Sequence, residues 1–329
     1  MEYLINEAKL DMIVEDILLE YGGVSDEIIE AAEMVRNEAL ELLNSNKYPS
    51  IDRWKKICLN FGVEDMYPGG DVEQSPQLST YPKRYCLPFG LRCVSDIDFV
   101  SNITIHAYGY NMSNISEYYA YSYFSDCLTN IGKNTSYFEP GDSIIILALP
   151  FGIDPRDGSV HIGDESFSVI NHELKHAYQH HRRNKSQCET DKFYSASINK
   201  GESDSYTLKS LGLSISDIKY AYYILSFDEV DAILQQVYVY VSRNGGTLKS
   251  CSWYRYMLYA KDTYNKIYKY YTTSPYGYML SGIFYRIYGS DIFKKYLSHC
   301  QRGIRRFDEH LRRVVGRLNN EHPGQRLFW

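Results

Sequence analysis

The sequence predicts an α+β fold, in which a small mixed sheet precedes a mainly helical carboxyl-terminal half. Three observations lead to this prediction. Apolar residues recur with helical spacing near the amino terminus and again after residue 214. Residues 99–150 carry strand patterns, and a helix with two histidines is expected directly after them. With 329 residues, of which 44% are hydrophobic, the chain is long enough for one large domain or two modest ones.

The amino-terminal region, residues 1–61, is predicted to be helical. Its apolar residues follow helical spacing on both sides of Gly22 and Gly23, which indicates a helical hairpin. Residues 62–90 change character, because they collect several prolines and glycines, and are predicted to be a linker or a long irregular loop. Residues 91–329 are then expected to form the main domain.

Two segments within residues 99–150 have the patterns of strands. Ile103, Ile105 and Ala107 alternate with polar residues, as in a strand with one buried face. The run from Ile144 to Leu149 is continuously apolar and is followed by Pro150, which is expected to end a strand buried on both faces.

Helices are predicted for most of the remaining chain. One helix is expected over about 165–182, with Asp164 or Ser166 as its N-cap. From Ser214 onward the chain is expected to be mainly helical, with Ser216 and Ser226 as N-caps and a break at Gly245 and Gly246.

Charge and cysteine content exclude some classes of function. A net charge of −6 argues against a general nucleic-acid binder, whose affinity depends on neutralising phosphates. No apolar run approaches the roughly 18 residues of a membrane span, and acidic residues in the first twenty positions do not fit a signal peptide. Seven scattered cysteines without a CxxC pair favour reduced thiols. Together these features predict a cytoplasmic protein.

The residues from His172 to His176 carry the strongest chemical signal in the sequence. These two histidines are four residues apart, so on a helix they lie on the same face, one turn apart. Two neutral imidazoles in that arrangement can reach one metal ion. Ile170, Leu174 and Ala177 form a separate apolar stripe, which is expected to face the core.

This segment, His172-Glu173-Leu174-Lys175-His176, resembles the HExxH motif of the zincin metallopeptidases. The resemblance covers about a dozen residues and the order of strands before the helix. It implies a zincin-like catalytic domain that uses Zn2+ to hydrolyse peptide bonds in a peptide or protein substrate. In this sequence His172 and His176 would be metal ligands, and Glu173 would be the general base.

A catalytic zinc needs a third protein ligand, and several residues are candidates. The metzincin pattern does not fit, because Gln179 and Arg182 stand where a glycine and the third histidine belong. The aspzincin pattern fails as well, because Cys251 stands at its aspartate position. His180 lies one turn further along the same helix, and three ligands in a row do not easily converge on one ion.

The gluzincin arrangement implies that a glutamate from a second, downstream helix is the third ligand. Glu229 is our choice, with Asp228, Asp231 and His180 as the open alternatives. A capping box between Ser226 and Glu229 is a competing role for this glutamate. The chain also departs from the family pattern, since Ile233 stands where an acidic residue is usual four positions after the ligand.

Tyrosine content and charge distribution favour a second kind of function. Tyrosine accounts for 33 residues, and tyrosine suits broad contact surfaces. Residues 1–50 hold twelve acidic and three basic residues, whereas residues 291–329 hold four acidic and nine basic ones. The basic run from Gln301 to Arg317 is expected to be a solvated helix face. The alternative is therefore a zincin-like structural component of a larger assembly, for example a phage particle, which contacts partners or copies of itself through these surfaces.

Overall fold

The computed structural model of the chain describes residues 23–45, 49–59, 89–93, 96–100, 102–112, 137–139, 144–182, 206–288 and 292–323. The chain divides into two compact units, Ser25–Gln187 and a second unit that combines Met1–Val24 with Cys188–Trp329. The described part is mostly helical with one small sheet, which is compatible with the predicted α+β class. The predicted boundaries at residues 61 and 90 stay predictions, since residues 60–88 lie outside the described ranges.

The unit Ser25–Gln187 contains three described helices and five strands. They are α1 (Asp26–Asn44), α2 (Pro49–Leu59), β1 (Phe89–Cys93), β2 (Asn102–Asn111), β3 (Tyr137–Glu139), β4 (Ile144–Ile153), β5 (Val160–His161) and α3 (Asp164–Arg182). Helix α1 is the second arm of the predicted hairpin, and the first arm lies outside the described residues.

The sheet has the order β1-β2-β4-β3, and β5 also pairs with β4. Strands β2 and β4 are parallel, with Ile105 opposite Leu147, while the other pairs are antiparallel. Ile103, Ile105, Ala107 and Leu147 are all buried, so the alternation in the sequence marks the core face of β2 as expected. Helix α3 contacts β3 and β4, and α1 packs against α3.

Two details of the sheet differ from the sequence prediction. Pro150 lies inside β4 and does not end it, since the strand continues to Ile153. On the side of β4 opposite β2, β3 pairs with residues 144–146 and β5 with residues 152–153, so Pro150 falls between the two pairings. A proline is tolerated where no neighbouring strand needs its N–H. Strand β1 was also missed, because it begins in the segment predicted to be a loop.

The described part of the second unit is helical. It comprises α4 (Tyr206–Ser210), α5 (Ile215–Ile224), α6 (Phe227–Asn244), a 3-10 turn (Leu248–Ser250), α7 (Ser252–Thr273), α8 (Tyr278–Tyr288) and α9 (Ile292–Glu321). Helix α6 is buried along most of its length and contacts α5, α7 and α9. The predicted helical character of this half is therefore confirmed for the described residues.

The helix ends in this unit follow local chemistry. Helix α5 is capped by Ser214 and not by Ser216, because Ser214 and Asp217 form a reciprocal capping box. Ser226 caps α6, as predicted. Gly245 ends α6 with a φ of 60°, a left-handed conformation that glycine adopts without steric cost.

The membrane and cysteine predictions have different outcomes. None of the helices in the described ranges is long and apolar enough to cross a membrane. Cys93, Cys251 and Cys300 are free and buried. Cys58, however, is disulfide-bonded, so the prediction of reduced thiols is wrong at this position. Cysteine spacing alone does not determine which side chains meet in the fold.

Candidate metal centre

Helix α3 is held on the core by the apolar stripe that the sequence predicted. Ile170, Leu174 and Ala177 are each 0% exposed, and Phe167 one turn earlier is equally buried. Tyr178 adds an edge-to-face contact with Phe99, with 5.3 Å between the ring centroids. Because one face of the helix is fixed in this way, the direction of its polar face is fixed as well.

His172 and His176 lie next to each other on that polar face. Their Nε2 atoms are 3.1 Å apart, and their ring planes meet at 82°. His172 is only 7% exposed, and His176 is half-buried. Two ligands of a tetrahedral zinc ion, each about 2.0–2.1 Å from it, are about 3.3 Å apart. The spacing of the two nitrogens therefore fits one shared ion.

Gln179 orients the second of these rings. Its side-chain oxygen lies 3.2 Å from Nδ1 of His176, and the glutamine is 8% exposed. Since that oxygen only accepts hydrogen bonds, the assigned tautomer has its proton on Nδ1 and a lone pair on Nε2. This role was not predicted, although the spacing of three residues between His176 and Gln179 was a usable signal in the sequence.

The first turn of α6 tests the capping role that the sequence allowed for Glu229. Ser226 Oγ accepts a hydrogen bond from the Glu229 amide at 3.4 Å, while the Ser226 amide donates to the Tyr223 carbonyl oxygen at 3.0 Å. Only the serine half of a capping box is therefore present here. At α5, by contrast, the Asp217 carboxylate accepts from the Ser214 amide at 2.6 Å. Capping consequently does not account for the Glu229 side chain.

Glu229 is a buried carboxylate in the other unit, with 7% of its surface exposed. Two imidazoles and one carboxylate are a donor set typical of catalytic zinc sites with an open fourth position. The adjacent imidazoles of His172 and His176 supply two such donors from one helix, and this pair can bind a metal ion.

Among the other candidates for the third ligand, Asp231 is paired within its own unit. The Asp231 carboxylate accepts hydrogen bonds from Arg306 and lies 3.0 Å from His310 Nδ1. Asp228 is half-buried at the start of α6, and the side chain of His180 is outside the described part of the chain. Glu173, the predicted general base, is half-buried beside His172 on α3.

One prediction about charged residues is wrong. Arg306, in the basic run expected to be a solvated face, is only 5% exposed and pairs with Asp231. Its partner lies 75 residues earlier in the chain. A charge pattern along one helix contains no information about such a distant partner, so the sequence offered no signal for this pair.

Comparison with family models, curated proteins and solved structures finds no match for this chain.

Proposed function

We propose that this protein is a zinc-dependent metallopeptidase with a gluzincin-like ligand set. The adjacent imidazoles of His172 and His176 on one helix support this proposal most strongly, and Glu229 is the proposed third ligand. The donor types suit zinc, and the 3.1 Å separation of the two imidazole nitrogens fits neighbouring positions on one ion. The HExxH motif adds a carboxylate, Glu173, directly beside the first ligand.

Each of these residues has a defined task in peptide hydrolysis. Zinc bound by the three ligands would polarise a carbonyl group and increase the acidity of a water molecule. The Glu173 carboxylate accepts a proton from the attacking water and passes it to the leaving amine nitrogen. Gln179 keeps His176 in the tautomer that presents Nε2 as a ligand.

The sheet supports a peptide as the class of substrate. Strand β3 is the last strand of the order β1-β2-β4-β3, and within the described residues it pairs only with β4. Helix α3, which carries the histidines, contacts β3. An extended peptide that pairs with the outer edge of β3 would bind through main-chain hydrogen bonds. A peptide bound in this way would lie next to a strand that contacts the helix carrying Glu173.

Metal analysis and two substitutions test the proposal. We expect about one zinc per chain after purification without chelators, and loss of that zinc in His172→Ala. Glu173→Gln is expected to keep the zinc and to lose roughly 10²- to 10⁴-fold in hydrolysis of a fluorescent casein substrate, because it removes only the general base. Wild-type hydrolysis by Glu173→Gln, or a zinc content far below one per chain, would contradict the proposal.

A role in an assembly is the second candidate, and the exposed aromatic surface of α7 and α8 favours it. Several large apolar side chains are exposed in this part of the chain, among them Tyr276 in the turn between the two helices and Tyr278 and Tyr285 in α8, at 57–66% exposure. Exposed patches of this composition are typical of protein contact surfaces. Size-exclusion chromatography with light scattering tests the version in which copies of the chain associate. A strictly monomeric protein that cleaves peptides would contradict this candidate.

A further inference from the structure

Three polar side chains form a buried network between α6 and α9. Arg306 donates from Nε to Asp231 Oδ1 at 2.9 Å and from Nη2 to Asp231 Oδ2 at 2.6 Å. His310 Nδ1 lies 3.0 Å from Asp231 Oδ1. The side chains of Arg306, Asp231 and His310 are 5%, 3% and 0% exposed. Such bidentate pairs fix distance and direction together.

Arg306 donates to both carboxylate oxygens of Asp231, so both oxygens act as acceptors and His310 donates to one of them from Nδ1.

Helix α9 also holds the first residue of α6. The guanidinium carbons of Arg306 and Arg302 lie 5.3 Å and 5.8 Å from the centre of the Phe227 ring. These are cation–π distances. Arg306 therefore binds α6 at two points, Phe227 and Asp231, which are four residues apart.

Glu229 lies midway between these two points. On an α-helix, residues four apart share a face, whereas a residue two positions from each is rotated by about 200° and lies on the opposite face. Arg306 thus holds α6 from the side opposite Glu229. The two contacts restrict rotation of the first turn about the helix axis, which is the motion that would redirect the Glu229 carboxylate.

Stability alone does not explain this arrangement. Replacing a buried ion pair by apolar side chains of similar volume is often neutral or stabilising, so a buried pair is better understood as a constraint on geometry. We propose that Arg306, through Asp231 and Phe227, is a positioning residue that sets the direction of Glu229 as a metal ligand. This inference rests on the proposed metal site.

The test compares zinc affinities, measured by competition with a chromogenic chelator. The main variant is the double substitution Asp231→Leu with Arg306→Met, which removes both charges and leaves neither buried alone. Arg305→Met is the matched control, since Arg305 is exposed one position earlier on α9. Glu229→Gln defines the effect of impairing the third ligand.

We expect the double variant to bind zinc about 10- to 100-fold more weakly, the range typical of residues that orient ligands. Its Co2+ absorption spectrum is expected to shift towards that of Glu229→Gln, while Arg305→Met keeps the wild-type affinity and spectrum. A merely structural network would change the urea midpoint of the metal-free protein but neither zinc affinity nor spectrum, and that result would overturn the inference.

Two further results separate the possible failures. If the double variant does not fold, Arg306→Lys takes its place, because lysine keeps the charge but lacks the planar fork and the stacking face. Wild-type affinity and spectrum in Arg306→Lys would then overturn the inference. Unchanged zinc affinity in Glu229→Gln would refute Glu229 as a ligand, and with it both the proposed site and the positioning role.

Discussion

Substitution of Gln179 tests the hydrogen bond that orients His176. This bond joins two neutral groups at 3.2 Å within one helix, and the glutamine is 8% exposed. A neutral hydrogen bond contributes about 1 kcal/mol, and a residue that orients a ligand typically changes metal affinity 10- to 100-fold. Since this bond is long and uncharged, we expect the lower end for Gln179→Leu, about a tenfold loss of zinc affinity, or about 1.4 kcal/mol.

The substitution Gln179→Glu is expected to change zinc affinity in the opposite direction. In Gln179→Glu the acceptor becomes a carboxylate, and charge-assisted hydrogen bonds are roughly twice as strong as neutral ones. A stronger acceptor on Nδ1 makes Nε2 a better ligand, so zinc affinity is expected to rise several-fold. A loss of zinc affinity in Gln179→Leu together with a gain in Gln179→Glu would be difficult to explain by packing alone.

The assay is competition for zinc against a chromogenic chelator at fixed pH, with the unfolding free energy of each metal-free variant measured in parallel. His181→Leu is the matched control, because His181 is an exposed histidine further along the same helix. Wild-type affinity in Gln179→Leu, or weaker binding in Gln179→Glu, would refute the orienting role.

Three further predictions concern stability and reactivity. Zinc at about 100 times its dissociation constant should stabilise the protein by about 2.7 kcal/mol, a rise in Tm of roughly 4 °C in calorimetry; an unchanged Tm would count against a bound metal. In α9, Gly303→Ala should lower the free energy of unfolding in urea by about 1–3 kcal/mol, because the new methyl group clashes with the Leu225 carbonyl oxygen. Gly316→Ala has open space around it and should raise the free energy of unfolding by about 0.5–1 kcal/mol. Equal changes in the two variants would contradict this prediction. Burial, with a smaller contribution from Glu38, raises the pKa of Cys93 to about 12. Alkylation of Cys93 at pH 8, followed by peptide mass spectrometry, should therefore be far slower in the folded protein than in the protein unfolded by urea. The unfolded thiol ionises from about pH 8.5 while the folded one stays protonated, so this group's contribution to stability falls as pH rises from there towards 12; equal labelling rates in both states would refute the burial effect.

Local patterns were sufficient for the elements that carry most of the candidate site. The period of the apolar residues predicted α3 and its buried stripe of Ile170, Leu174 and Ala177, because that period reflects the helix itself. The same holds for the alternation in β2 and for the cap at Ser226. These features depend on residues within one or two turns of each other.

Some predictions failed because a competing local signal decided the outcome, and others because the outcome depends on which strands lie beside the residue. Ser214 caps α5 because Asp217 stands three residues later. This capping signal is visible in the sequence, but Ser216 was predicted to be the N-cap. Pro150 was expected to end β4, but the tolerance for proline depends on which strands pair beside it. Strand β1 was missed because its few residues form a strand only by pairing with β2.

By itself, the sequence determined that two imidazoles share one helix face and that a carboxylate adjoins the first of them, because a helical repeat follows from spacing alone. Only the tertiary structure decided that Asp231 pairs with Arg306 and that Cys58 is in a disulfide. Each of these outcomes joins residues far apart in the chain. Their proximity depends on how whole secondary-structure elements pack, and the local propensities of the residues do not predict it.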